Sequence, residues 1–144
     1  MKEIKTEIII DTKPEKVWKV LTDFENYPTW NPFIQNISGE QKVGSKLDVS
    51  IHPLEGKGMT FKPTLLKFEA NREFRWVGKL LVKGIFDGEH YFVLSQDVEN
   101  KTKFTHGEKF RGVLLYFSGK TLDKIKDGFE LMNESLKVEC EKDR

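Results

Sequence analysis

Cysteine is nearly missing from this chain. Cys140 is the only one in 144 residues, so no internal disulfide can form and a reducing compartment is expected. An excess of one charge is missing too. The 24 Lys and Arg residues balance 23 Asp and Glu to a formal net charge of +1, with both signs scattered and no basic block. General electrostatic capture of nucleic acid or of an anionic membrane is therefore not expected. No run approaches the ~20 apolar residues of a membrane span, and Met1-Lys2-Glu3-Ile4 holds no signal-peptide core. The expectation is a soluble, cytoplasmic protein without stable membrane insertion. Phosphate-binding loops, dinucleotide fingerprints, nucleophile elbows and Cys/His nucleophile arrangements are all lacking, so no cofactor is expected.

Aromatic residues, by contrast, are plentiful. Eleven Phe and three Trp exceed what a minimal core needs and suggest a large, ring-lined interior. The length fits one domain spanning residues 1–144. Glu3 to Ile10 is rich in β-branched residues and reads as a strand. Pro14 then suits the first turn of a helix that carries Val17, Trp18, Val20 and Leu21 at helical spacing to about Thr22. Pro28 and Pro32 forbid a long helix through Tyr27–Phe33, leaving room for one short second helix.

From Ile34 to Gly112 the dominant period is two, punctuated by turn signals such as Gly39, Ala70-Asn71-Arg72 and Glu99-Asn100-Lys101. About six consecutive strands joined by tight connections follow, hence an antiparallel meander. The period then changes. Leu122, Ile125, Phe129, Met132 and Leu136 recur every three or four residues, predicting one amphipathic helix from about Ser118 to about Lys142. At 1.5 Å per residue it spans roughly 36 Å, enough to cross a whole sheet. The predicted fold is α+β: a curved antiparallel sheet of about seven strands gripping a long C-terminal helix, with two short helices after strand 1.

The segment Val17-Trp18-Lys19-Val20-Leu21-Thr22-Asp23, followed by Tyr27-Pro28-Thr29-Trp30-Asn31-Pro32, resembles the opening motif of the polyketide cyclase/dehydrase and lipid-transport family. Gly44, Glu69 with Asn71, Phe74-Arg75-Trp76 and the run Phe104–Gly112 resemble its later blocks, although Ala70 stands where the family often has proline. The resemblance covers nearly the whole chain. It implies the START-like (SRPBCC) helix-grip fold. Its members include ligand carriers, aromatase/cyclases, hydrolases and chaperone cofactors, so fold alone does not assign an activity.

Strand alternation nominates an inward face. Phe104, His106, Glu108 and Phe110 share one side of their strand, opposite Lys103, Lys109 and Arg111. By the same rule His90, Phe92 and Leu94 point inward, as do Phe74, Trp76, Gly78 and Leu80. Two imidazoles and a carboxyl thus lie among rings. A dry cavity of roughly 300 Å³ costs about 7 kcal/mol, comparable to the stability of a domain, so a ligand-sized space must hold water or ligand. His90, His106 and Glu108 suit anchoring either one. Each also has a plainer reading as a satisfied buried group. No metal is expected, since the H-x-E spacing has no second ligand cluster beside it.

The expected function is binding or transport of a small hydrophobic or amphipathic ligand, such as a lipid, a polyketide-like aromatic or a quinone. Its expected lining is Trp30, Phe33, Phe74, Trp76, His90 and Phe92, with Phe104, His106, Glu108, Phe110, Phe129 and Met132. One alternative is a cyclase, aromatase or hydratase with His106, Glu108 or His90 as acid and base; another is a protein-interaction module. No feature specifies an oligomeric state.

Overall fold

The structure is a computed structural model that describes residues 2–52, 58–79, 85–112 and 119–142. Strand β1 (Lys2–Ile10) runs into α1 (Pro14–Thr22), with Pro14 opening the helix as expected. A 3₁₀ turn (Phe24–Asn26) and the single-turn α2 (Tyr27–Trp30) follow. Pro32 disfavours helical backbone at Asn31, so α2 cannot continue. The Asn31 Oδ1 instead accepts bonds from the N–H groups of Phe33 and Ile34, at 2.9 and 2.8 Å, and turns the chain into the next strand.

Seven strands then follow in the described residues: β2 (Ile34–Ser38), β3 (Asp48–Ile51), β4 (Met59–Phe61), β5 (Thr64–Glu69), β6 (Glu73–Lys79), β7 (Ile85–Gln96) and β8 (Thr102–Gly112). The total of eight exceeds the expected seven or so. Pro63 explains the difference, because it has no N–H to donate and divides one extended stretch into β4 and β5. Helix α3 (Gly119–Cys140) closes the fold two residues short of its predicted end.

The strands form a five-stranded sheet in the order β1-β8-β7-β6-β5 and a three-stranded sheet, β2-β3-β4. Backbone bonds join the two: Gly44 N–H to Leu65 O at 2.8 Å, Leu65 N–H to Ser45 O at 2.9 Å and Leu47 N–H to Pro63 O at 2.9 Å. Turn chemistry fixes the register. Asn71 and Asn100 adopt φ of 64° and 63°, the left-handed region that asparagine tolerates, at the β5–β6 and β7–β8 turns. Helix α3 packs on β1 and β8 and against α1 and α2. The core between sheet and helices holds Val17, Leu21, Phe74, Phe92, Phe104, Phe129 and Leu136, all fully buried.

Candidate functional site

The inward rows of β6, β7 and β8 face α3 as alternation requires. Phe74, Trp76, His90, Phe92, Phe104, His106, Glu108 and Phe110 are all buried, and so are Phe33, Phe129 and Met132. Leu80 lies outside the described residues. Antiparallel pairing sets Trp76 opposite His90 and His90 opposite Glu108, while Phe92 faces His106. Rings fill much of the space between. The His106 imidazole stacks on Phe129 at 4.2 Å, and Trp76 stacks on His90 at 4.9 Å. Gly128 is the reason Phe33 can sit under α3, since a Cβ there would lie 2.7 Å from its ring.

The inward polar groups form a chain. The Nε2 atoms of His90 and His106 are 2.7 Å apart, and His106 Nδ1 lies 2.9 Å from Asn133 Oδ1. Asn133 Nδ2–H donates to Thr6 Oγ1 at 2.8 Å, and the Thr6 hydroxyl donates to the His106 carbonyl at 2.8 Å. At the other end His90 Nδ1 meets Glu108 Oε1 at 3.4 Å. Both imidazoles thus engage protein groups at both nitrogens. Among the described residues, His90 is the only ion-pair or hydrogen-bond partner of the Glu108 carboxyl.

Burial controls the charges. Desolvation lowers His90 to about 3. His106 falls well below its ordinary value through desolvation first and the neighbouring His90 second, against a bond to Asn133 that opposes the shift. Desolvation raises the Glu108 carboxyl to about 8. At neutral pH the set is therefore two neutral imidazoles and a neutral acid. Among the described residues no group of three or more His, Cys, Asp or Glu is placed to hold a metal ion.

The residues spaced i and i+2 on β8, His106 and Glu108, do not meet each other; the partner of Glu108 is His90, across the β7–β8 pair. Trp30 stands apart from the inward rows. It is half-buried and packs on Tyr27 at 5.1 Å. It borders a groove of about 310 Å³ shared with Glu134, Ser135 and Val138 of α3. Cys140 is buried and its thiol is pushed up to about 12 by desolvation, which makes it unreactive. Sequence reading missed Thr6 and Asn133. The signals were present: Asn133 interrupts the apolar stripe of α3 between Met132 and Leu136, and Thr6 falls in the inward row of β1 between Ile4 and Ile8.

No curated protein sequence matches the chain significantly. Solved structures do. A major latex-like protein from Panax ginseng is 11% identical with a TM-score of 0.80, covering 97% of each chain. A START superfamily protein from Mycobacterium smegmatis is 15% identical with a TM-score of 0.78, over 96% of this chain and 97% of that one. A Streptomyces aromatase/cyclase is 11% identical with a TM-score of 0.78, over 97% and 93%. At such identities the likeness establishes the fold, a START-type helix grip, and not the activity. The family model described as polyketide cyclase / dehydrase and lipid transport matches residues 1–137, and the chain belongs to that family.

Proposed function

We propose that this protein, as one domain over residues 1–144, binds a small hydrophobic or amphipathic molecule between the concave sheet and α3. The observation that carries this reading is the surroundings of Glu108. A buried carboxyl with one polar neighbour among the described residues, 3.4 Å away, sits among apolar rings. Beside it the inward row narrows to glycine, because Gly78 and Gly88 pair directly and Gly88 also pairs with Phe110; Pro63 packs over Gly78, where a Cβ would lie 3.1 Å from it. Burying a polar group without full hydrogen bonding costs free energy, and a ligand that completes its bonding recovers that cost. In this reading Trp76, His90, Phe110 and Phe129 form the ligand's lining, with the buried Met132, Phe33, Phe74, Phe92, Phe104 and His106 as the packed wall behind it. Trp30 belongs to the α2–α3 margin. Lipids, polyketide-like aromatics and quinones fit an interior of this composition. The protein works in the cytoplasm, without nucleic acid or stable membrane insertion; among the described residues no helix is long and apolar enough to cross a membrane.

Native mass spectrometry of protein purified from its own host is expected to find a bound apolar compound that unfolding releases. If that protein is empty, and apolar dyes also fail to bind it, the reading is wrong.

One observation favours a second reading, an aromatase/cyclase- or hydratase-type enzyme. A buried acid near pH 8 beside an uncharged imidazole is a competent proton donor at neutral pH. Activity on a polyketone substrate that disappears in both Glu108→Gln and His106→Ala supports it. Activity indifferent to both removes it.

A further inference from the structure

The hydrogen bonds of the buried chain have a fixed direction, and the backbone sets it. The His106 carbonyl can only accept, so the Thr6 hydroxyl spends its single proton there, at 2.8 Å. Thr6 Oγ1 must then accept from Asn133, which orients the amide with Nδ2 toward Thr6 and Oδ1 toward His106. An amide oxygen cannot donate, so His106 carries its proton on Nδ1 and offers a lone pair at Nε2. His90, 2.7 Å away, must supply the proton from its own Nε2. Its Nδ1 is left as an acceptor facing Glu108. The carboxyl group therefore uses its O–H toward His90 and presents its carbonyl oxygen to whatever lies beyond. Each step follows from the one before, over five side chains. Desolvation of all three titratable groups acts in the same sense, toward their neutral forms.

Resting on the reading of an interior ligand site, we infer that Glu108 selects a neutral apolar molecule that bears a hydroxyl group, phenol or alcohol, which donates its proton to the carboxyl oxygen. A methyl ether of the same shape has no proton to give. A carboxylate brings a charge into a site where none of the described groups is cationic, and it meets an acceptor. Specificity thus comes from unpaired polarity rather than from shape.

Isothermal titration of 1-naphthol, 1-methoxynaphthalene and 1-naphthoate at pH 6.5 tests this. The wild type is expected to bind the naphthol about tenfold more tightly than the ether, the size of one buried hydrogen bond, and the naphthoate more weakly than either. Glu108→Gln keeps the same polarity, because its amide N–H donates to His90 and its carbonyl accepts from the ligand. It is expected to retain the preference for naphthol, whereas Glu108→Leu abolishes it. Equal binding of naphthol and ether by the wild type, or a preference that survives Glu108→Leu or vanishes in Glu108→Gln, overturns the inference and leaves the ligand site standing. Failure of every probe to bind removes the site and the inference together. A second measurement needs neither variant nor ligand. Long-range ¹H–¹⁵N spectra are expected to show His90 protonated at Nε2 and His106 at Nδ1, and the opposite tautomers exclude the proposed direction.

Discussion

The two faces of the central sheet treat polar side chains in opposite ways. On the concave face, His90 and His106 join Asn133, Thr6 and Glu108 in a sealed series of neutral groups. On the convex face, and one residue away along the same strands, Arg75 bonds Glu89 at 2.6 Å and Glu73 at 2.8 Å. Its guanidinium lies 4.8 Å over the Tyr91 ring, whose hydroxyl donates to Glu3 at 2.5 Å. Partial burial works against the Arg75 charge, but its bonds to Glu89 and Glu73 outweigh that and raise its pKa. Water reaches the convex cluster and screens it, so ions are tolerable there. Inside, each charge would be uncompensated, and the acid and both imidazoles are kept neutral. For the strand residues, alternation decides which face a side chain enters.

The contrast can be broken most severely from inside. Asn133→Ala strands the His106 Nδ1–H and takes away the donor of Thr6, both buried, so a loss of roughly 2–4 kcal/mol is expected. Chemical denaturation measures it; a loss under half a kcal/mol would mean that the buried chain is ornamental.

Next in size is the dependence on pH. In the unfolded chain Glu108 titrates near 4.5 and each histidine near 6.5. Below pH 6.5 unfolding takes up two imidazole protons that the folded interior refuses, and above 4.5 it releases the one that folded Glu108 retains. The net uptake makes stability climb with pH until about 6.5. From there to about 8 the Glu108 difference increasingly dominates, and stability falls by less than about 1.4 kcal/mol per pH unit. A maximum near pH 6.5 is expected in melting experiments. Glu108→Gln should flatten the alkaline limb and steepen the acid one, because the proton that Glu108 releases no longer offsets the two imidazole uptakes.

The smallest effect belongs outside. Glu89→Gln should cost less than about 1 kcal/mol, and the difference from wild type should shrink as salt is added. A salt-independent loss the size of the interior one would erase the distinction between the two faces.

Periodicity made much of this readable. Phe74, Trp76, His90, Phe92, Phe104, His106, Glu108 and Phe110 follow from a period of two, and Phe129 and Met132 from a period near 3.6. Register was not readable, because it is set by two left-handed asparagine turns and by pairings far apart in sequence. For that reason the sequence leaves open which group partners Glu108, and only the β7–β8 register identifies it as His90. Thr6 and Asn133 lie 127 residues apart and meet only when β1 and α3 close on each other. Tyr91 belongs to an outward row yet is buried. It lies flat over Gly107, where a Cβ would come within 2.3 Å of its hydroxyl oxygen. That cover depends on a glycine on a neighbouring strand, which no local pattern announces.

The stitch of Gly44–Leu47 onto Pro63–Leu65 has a further effect on how copies of this protein meet. Those backbone bonds occupy the start of an outer strand, β5, that would otherwise offer its amides to a neighbour. Further along β5, Lys67 and Glu69 form an ion pair at 3.4 Å and keep charge on the remaining rim. Along that rim, guarded by both pairing and charge, strand-to-strand growth between copies is disfavoured.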